Sequence, residues 1–131
     1  MNRREGLELA HVLIVDDDEQ VREVLAEFVR LAGHEVAEAG NGKLALDYMS
    51  ANTVDVMILD IIMPEKDGLE VMMELLKRQS HCRVIAISGG AAGINQDYIL
   101  QMSKKMKVDA VLSKPFNIEV LTATLDEVLN R

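Results

Sequence analysis

The stretch His11-Val12-Leu13-Ile14-Val15-Asp16-Asp17-Asp18 decides the fold. Five residues suited to a buried strand stop abruptly at three carboxylates. The run is too short for a buried helix and rich in β-branched residues. Apolar side chains on consecutive positions imply burial on both faces, as in a parallel sheet covered by helices. Downstream, Val21, Val24, Leu25, Phe28, Val29 and Ala32 recur at helical spacing, and Gly33 supplies the stop. The rhythm then repeats. Strands are expected at 35–39, 54–59, 83–87 and 110–112, and helices at 43–51, 68–78, 95–106 and 117–129. Five strand–helix units of this kind predict an α/β fold with right-handed crossovers.

Composition agrees with this and narrows the function. The 131 residues are 49% hydrophobic and 27% charged, enough for one globular domain with a real core. Residues 1–8 read as a loose leader and 9–131 as the domain, which leaves no room for a second catalytic or DNA-binding unit. Net charge is −8, from 14 Lys+Arg against 22 Asp+Glu. Such a surface repels a phosphate backbone, so no direct nucleic-acid contact is expected. No apolar run reaches membrane-spanning length, and no signal-peptide core follows Met1. The lone Cys82 has no disulfide partner, reads as a buried structural thiol, and fits a cytoplasmic protein.

In an open parallel sheet, functional groups gather at the carboxyl ends of the strands. Those positions here hold Asp16 and Asp17, Asp60, Ser88 and Lys114. Carboxylates in one pocket repel each other unless a cation neutralises them, and hard oxygen ligands suit Mg²⁺. A cation, an ammonium and a hydroxyl converging on one carboxylate are what phosphoryl transfer to that carboxylate requires.

Four motifs in order, Val15-Asp16-Asp17, Leu59-Asp60-Ile61-Ile62-Met63-Pro64 with Asp67-Gly68, Ile87-Ser88-Gly89 and Ser113-Lys114-Pro115-Phe116, resemble the receiver domain of two-component response regulators. The resemblance covers residues 11–129 and points to a stand-alone receiver. It implies the flavodoxin-like (βα)5 fold with strand order 2-1-3-4-5, for which a member of this family is the standard illustration. It implies that Asp60 is the phosphoacceptor, that Asp17 ligates Mg²⁺ directly and Asp16 through water, and that the Ile62 carbonyl is a further ligand. Ser88 would contact the phosphoryl group, and Lys114 would pair with Asp60 and then with that group. A cis Lys114–Pro115 bond is expected. The implied partners are a sensor histidine kinase or histidine phosphotransfer protein and a downstream protein target. Catalysis is expected only in self-phosphorylation and self-dephosphorylation. The switch position on strand five, usually aromatic, is Val111. The switch is therefore expected in the loop of Ser88, Gly89, Gly90 and Gly93, whose glycines change φ/ψ cheaply.

Plainer readings compete with these. Asp18 reads as a helix cap. Ser88 alone is a turn former, and Lys114-Pro115 alone a surface turn. His11, His34 and His81 read as surface or edge residues near strand starts. Met72, Met73, Met102 and Met106 read as core filler, with a docking face as the alternative. Two other functions compete: a small aspartyl-phosphate phosphatase of the haloacid-dehalogenase type, mimicked by Asp16-x-Asp18, and a receiver-like adaptor that takes no phosphate.

Overall fold

The computed structural model describes residues 9–61, 67–88 and 108–130. Their elements are β1 (His11–Val15), α1 (Glu19–Leu31), β2 (Glu35–Ala39), α2 (Gly42–Ala51), β3 (Val56–Asp60), α3 (Asp67–Lys77), β4 (Arg83–Ser88), β5 (Ala110–Ser113) and α4 (Ile118–Leu129). All strands pair in parallel, in the order β2-β1-β3-β4-β5. The expected architecture is the observed one. The helix expected at 95–106, with Met102 and Met106, lies outside the described residues.

The continuous apolar strands are explained by two cores, one on each face. On one face Val12, Ile14, Val56, Ile58, Ile85 and Ile87 pack with Leu25, Ala26 and Val29 of α1 and Leu121, Leu125 and Val128 of α4. On the other, Leu13, Val15, Met57, Leu59 and Val84 meet Ala45 of α2 and Val71, Met72 and Leu75 of α3. Alternate residues of one strand thus serve opposite layers. Every residue of β3 is buried.

Local chemistry sets the element ends. Asp18, Asn41 and Asn117 cap α1, α2 and α4 with side-chain oxygens that accept backbone N–H groups. The end of α1 is a Schellman motif: Gly33 has φ +97°, its N–H donates to Arg30 O, and His34 N–H donates to Val29 O. That turn corrects the surface reading of His34. The side chain is carried inward, is 6% exposed, and accepts the Ala10 N–H at Nδ1, tying the helix end to the start of β1. Met73 is also corrected. It lies on the outer face of α3 and is 59% exposed, whereas its neighbour Met72 is buried. Strand three begins at Val56 rather than 54, because Asp55 closes the sheet edge: its carboxylate accepts the His11 N–H. Cys82 is half-buried against the second core, and its thiol is pushed up to about 12, first by burial and then by Asp55 and Asp109. It remains an unreactive thiol at neutral pH.

One glycine is required by contact. A Cβ on Gly68, in the first turn of α3, would stand 2.8 Å from both Ile61 Cα and Ile61 O, and 2.9 Å from Asp60 O. The helix start can lie against the end of β3 only without a side chain there. Gly68→Ala should therefore destabilise the protein by about 1–3 kcal/mol, the usual cost of overpacking. Urea unfolding checks this, and an unchanged midpoint would show that the contact relaxes freely.

Candidate acidic phosphoacceptor site

The register of the sheet brings the acidic strand ends together. Val15 lies beside Leu59, so the residues that follow, Asp16 and Asp60, are neighbours across the β1–β3 boundary. Carboxylate oxygens from Asp16, Asp17 and Asp60 all lie within 4.8 Å of one another. Asp16 is 1% exposed and Asp60 6%, while Asp17 faces solvent. Two charges are thus withdrawn from water and a third guards the mouth.

Asp16 shows what the arrangement demands. Its Oδ1 accepts the Asp18 N–H at 2.9 Å. Its Oδ2 is buried with no hydrogen-bond partner among the described residues. Burial raises the Asp16 carboxyl above its ordinary value; the Asp18 N–H and the Lys114 charge act against that, and Asp17 and Asp18 add to it. A buried carboxylate oxygen without a donor is costly. Three oxygen donors at this spacing fit a hard divalent cation, which would satisfy that oxygen and offset the repulsion.

Lys114 follows β5, half-buried, and its bond to Pro115 is cis. It stands just beyond the carboxyl end of β5, at the sheet edge that carries Asp16 and Asp60, and its charge acts to lower the Asp16 carboxyl. Asp18 is turned away: its Oδ1 accepts the N–H groups of Gln20 and Val21, so it serves α1 as a cap. Val111 is half-buried against Ile61 and Ala86. Ile62, Gly89, Gly90 and Gly93 lie outside the described residues, as does the Ser88 side chain. Ser88 itself ends β4, paired with Ser113.

Two residues of this region were absent from the reading of the sequence. Arg22 Nη1 donates to the Asp16 carbonyl at 2.9 Å, and its Nε donates to Glu38 Oε1 at 3.2 Å. The available signal was a cation one turn from the start of α1, where the helix dipole disfavours positive charge.

The comparisons with known proteins agree with this geometry. The family model described as "Response regulator receiver domain" matches residues 12–126. The chain belongs to the response regulator receiver family. Among curated relatives, the transcriptional regulatory protein CpxR of Escherichia coli (strain K12) is 33% identical over 120 residues, 92% of this chain and 49% of that protein. A cyclic di-GMP phosphodiesterase of Thermotoga maritima is 30% identical over 118 residues, 90% of this chain and 30% of that protein. This receiver spans about half the length, or less, of these relatives. Among solved structures, the chemotaxis protein CheY4 of Vibrio cholerae superposes with TM-score 0.83 at 29% identity, covering 93% of this chain and 100% of that one. The receiver functions in two-component signal transduction. The family match displaces the phosphatase reading, and Asp18, the residue that reading relied on, is engaged as a cap. Among the described residues, no helix is long and apolar enough to cross a membrane.

A test follows from the burial of Asp16. In EDTA at neutral pH its charge opposes folding, so Asp16→Asn, which keeps an acceptor for Asp18 N–H, should raise the melting temperature of this receiver by a few degrees. The gain should shrink as the pH falls, because the wild-type carboxyl then takes up its proton. A lower melting temperature for the variant in EDTA would contradict this account.

Proposed function

We propose that the receiver accepts a phosphoryl group onto Asp60 from a phosphohistidine of a sensor histidine kinase or histidine phosphotransfer protein, with Mg²⁺ held by Asp16, Asp17 and Asp60. The observation that carries the reading is the carboxylate cluster, with Asp16 Oδ2 unpartnered among the described residues and Lys114 at the same sheet edge. Domain limits are read as 9–131, with 1–8 a leader.

In the step proposed, an Asp60 oxygen forms a bond to phosphorus while the P–N bond to the donor imidazole breaks. The ring carries its proton away and leaves neutral, and Asp60 becomes an acyl phosphate. Bound Mg²⁺ supplies positive charge to the phosphoryl oxygens, where negative charge spreads in the transition state. Asp16 and Asp17 hold that cation, with the Ile62 carbonyl as a further ligand. Lys114 offers a mobile point charge that can pass from the carboxylates to a phosphoryl oxygen. Ser88 donates its hydroxyl to another. Burial of Asp60 limits the approach of water to the reacting carboxylate.

The output is proposed to be a protein contact, or onward transfer of the phosphate. CpxR is by its name a transcriptional regulator and the Thermotoga relative a phosphodiesterase, so similar receivers are joined to different outputs. The −8 charge argues against direct contact with nucleic acid by this domain. For the switch, Val111 offers no ring to swing, and its χ1 is restricted. We place the switch in the loop from Ser88 through Gly89 and Gly90 to Gly93.

Three measurements test the reading. Incubation with acetyl phosphate and Mg²⁺ should add one phosphoryl mass to the wild type and none to Asp60→Asn; equal labelling of that variant would refute the acceptor. Labelling should vanish in excess EDTA, and Mg²⁺ at ten times its Kd should stabilise the fold by about 1.4 kcal/mol. Beryllofluoride should shift amide resonances from Ser88 to Gly93 strongly and those of Val111 little. The reverse pattern would place the switch on β5.

A further inference from the structure

Asp16 is fixed by more than its own carboxylate. Its backbone N–H donates to Ala39 O at 3.2 Å, its carbonyl accepts from Arg22 Nη1, and its Oδ1 accepts the Asp18 N–H. Among the described residues, Oδ2 has no hydrogen-bond partner. The Arg22 guanidinium spans two elements, because its Nε also donates to Glu38 on β2. The Arg22 side chain is 18% exposed and that of Glu38 28%. Gly40 leaves the space for it: a Cβ there would stand 3.3 Å from Arg22 Nη1. The fork therefore lies close to bare backbone, with one nitrogen on the site loop and another on the neighbouring strand.

We propose that Arg22, held by Glu38, is a positioning residue for the metal site: it pins the Asp16 backbone so that the carboxylate stays within reach of those of Asp17 and Asp60. The proposal rests on the reading of the acidic cluster as a Mg²⁺ site. The clamp acts by geometry and not by charge. Glu38 pairs with the guanidinium, and the Arg22 contact with Asp16 is to its backbone carbonyl and not to its carboxylate. A rigid fork can hold both acceptors at once; a lysine ammonium is a single point on a flexible stem and cannot reproduce it. Partners that orient metal ligands in this way commonly change metal affinity by 10–100-fold when removed.

The test is an amide NMR titration of the full 131-residue chain with MgCl₂, without phosphodonor. Arg22→Ala should weaken Mg²⁺ binding by roughly 10–100-fold. Arg22→Lys should weaken it nearly as much although the charge is kept. Glu38→Ala, a change at the exposed end of the clamp, should weaken it in the same direction and less, and serves if Arg22→Ala fails to fold. Acetyl phosphate labelling of the variants should recover at saturating Mg²⁺. Unchanged affinity alongside a lowered unfolding midpoint would reduce Arg22 to a structural residue and overturn the proposal. Tighter Mg²⁺ binding by Arg22→Ala would overturn it too, since that is the outcome of removing a repelling charge. A wild type that shows no Mg²⁺ binding would overturn the metal reading itself, and the clamp with it.

Discussion

The burial of β3 on both faces is the constraint on which the molecule depends. A strand with helices above and below can carry no polar side chain along its length without losing hydration on either side. Polar groups are pushed to its ends. Parallel pairing then sends the carboxyl ends of β1, β3, β4 and β5 to the same edge. The clustering of Asp16, Asp17 and Asp60 is a consequence of the sheet, because Asp16 and Asp17 are the two residues directly after β1 and Asp60 is the last residue of β3.

The same arrangement stores electrostatic cost. Like charges a few ångströms apart and partly shielded from water repel strongly, and burial itself opposes ionisation. The protein offsets part of this with the Asp18 N–H and the Lys114 ammonium. Among the described residues nothing donates to Asp16 Oδ2. A site stabilised fully by its own donors would have little free energy left for an incoming cation or phosphoryl group. A receiver must respond to both, and incomplete internal compensation makes such a response possible.

Much of this was legible in the chain, and the exceptions have physical causes. Short β-branched runs and the Asp, Ser and Lys positions after them were readable because strand periodicity and strand ends are local features. Val54 was mistaken for strand because an apolar run does not reveal that Asp55 turns its carboxylate back to cap His11. The burial of His34 depends on Ala10, 24 residues earlier, and is invisible to any window. Met72 and Met73 are adjacent and chemically identical; only the phase of α3 against the sheet decides which is buried. The Arg22 clamp joins α1 to β2 and to the loop after β1. Its parts acquire meaning only when the sheet has formed.

The two edges of the sheet show why residue type alone does not define a site. Asp55 and Asp109 stand at the opposite edge, before β3 and β5, and are the same residue type as Asp16 and Asp60. There, Asp55 accepts the N–H of His11 and Asp109 that of Val84, each at 2.8 Å. Backbone N–H groups emerge unpaired at the amino ends of parallel strands, so a carboxylate placed there finds donors from the chain itself. At the carboxyl ends the strands present carbonyls, which cannot donate. An aspartate at that edge must find its donors in the following loop or helix turn, as Asp16 Oδ1 and Asp18 do, or pair with an ammonium or a metal cation. The polarity of the parallel strand thus divides one residue type into a structural role at one edge and a ligand-seeking role at the other.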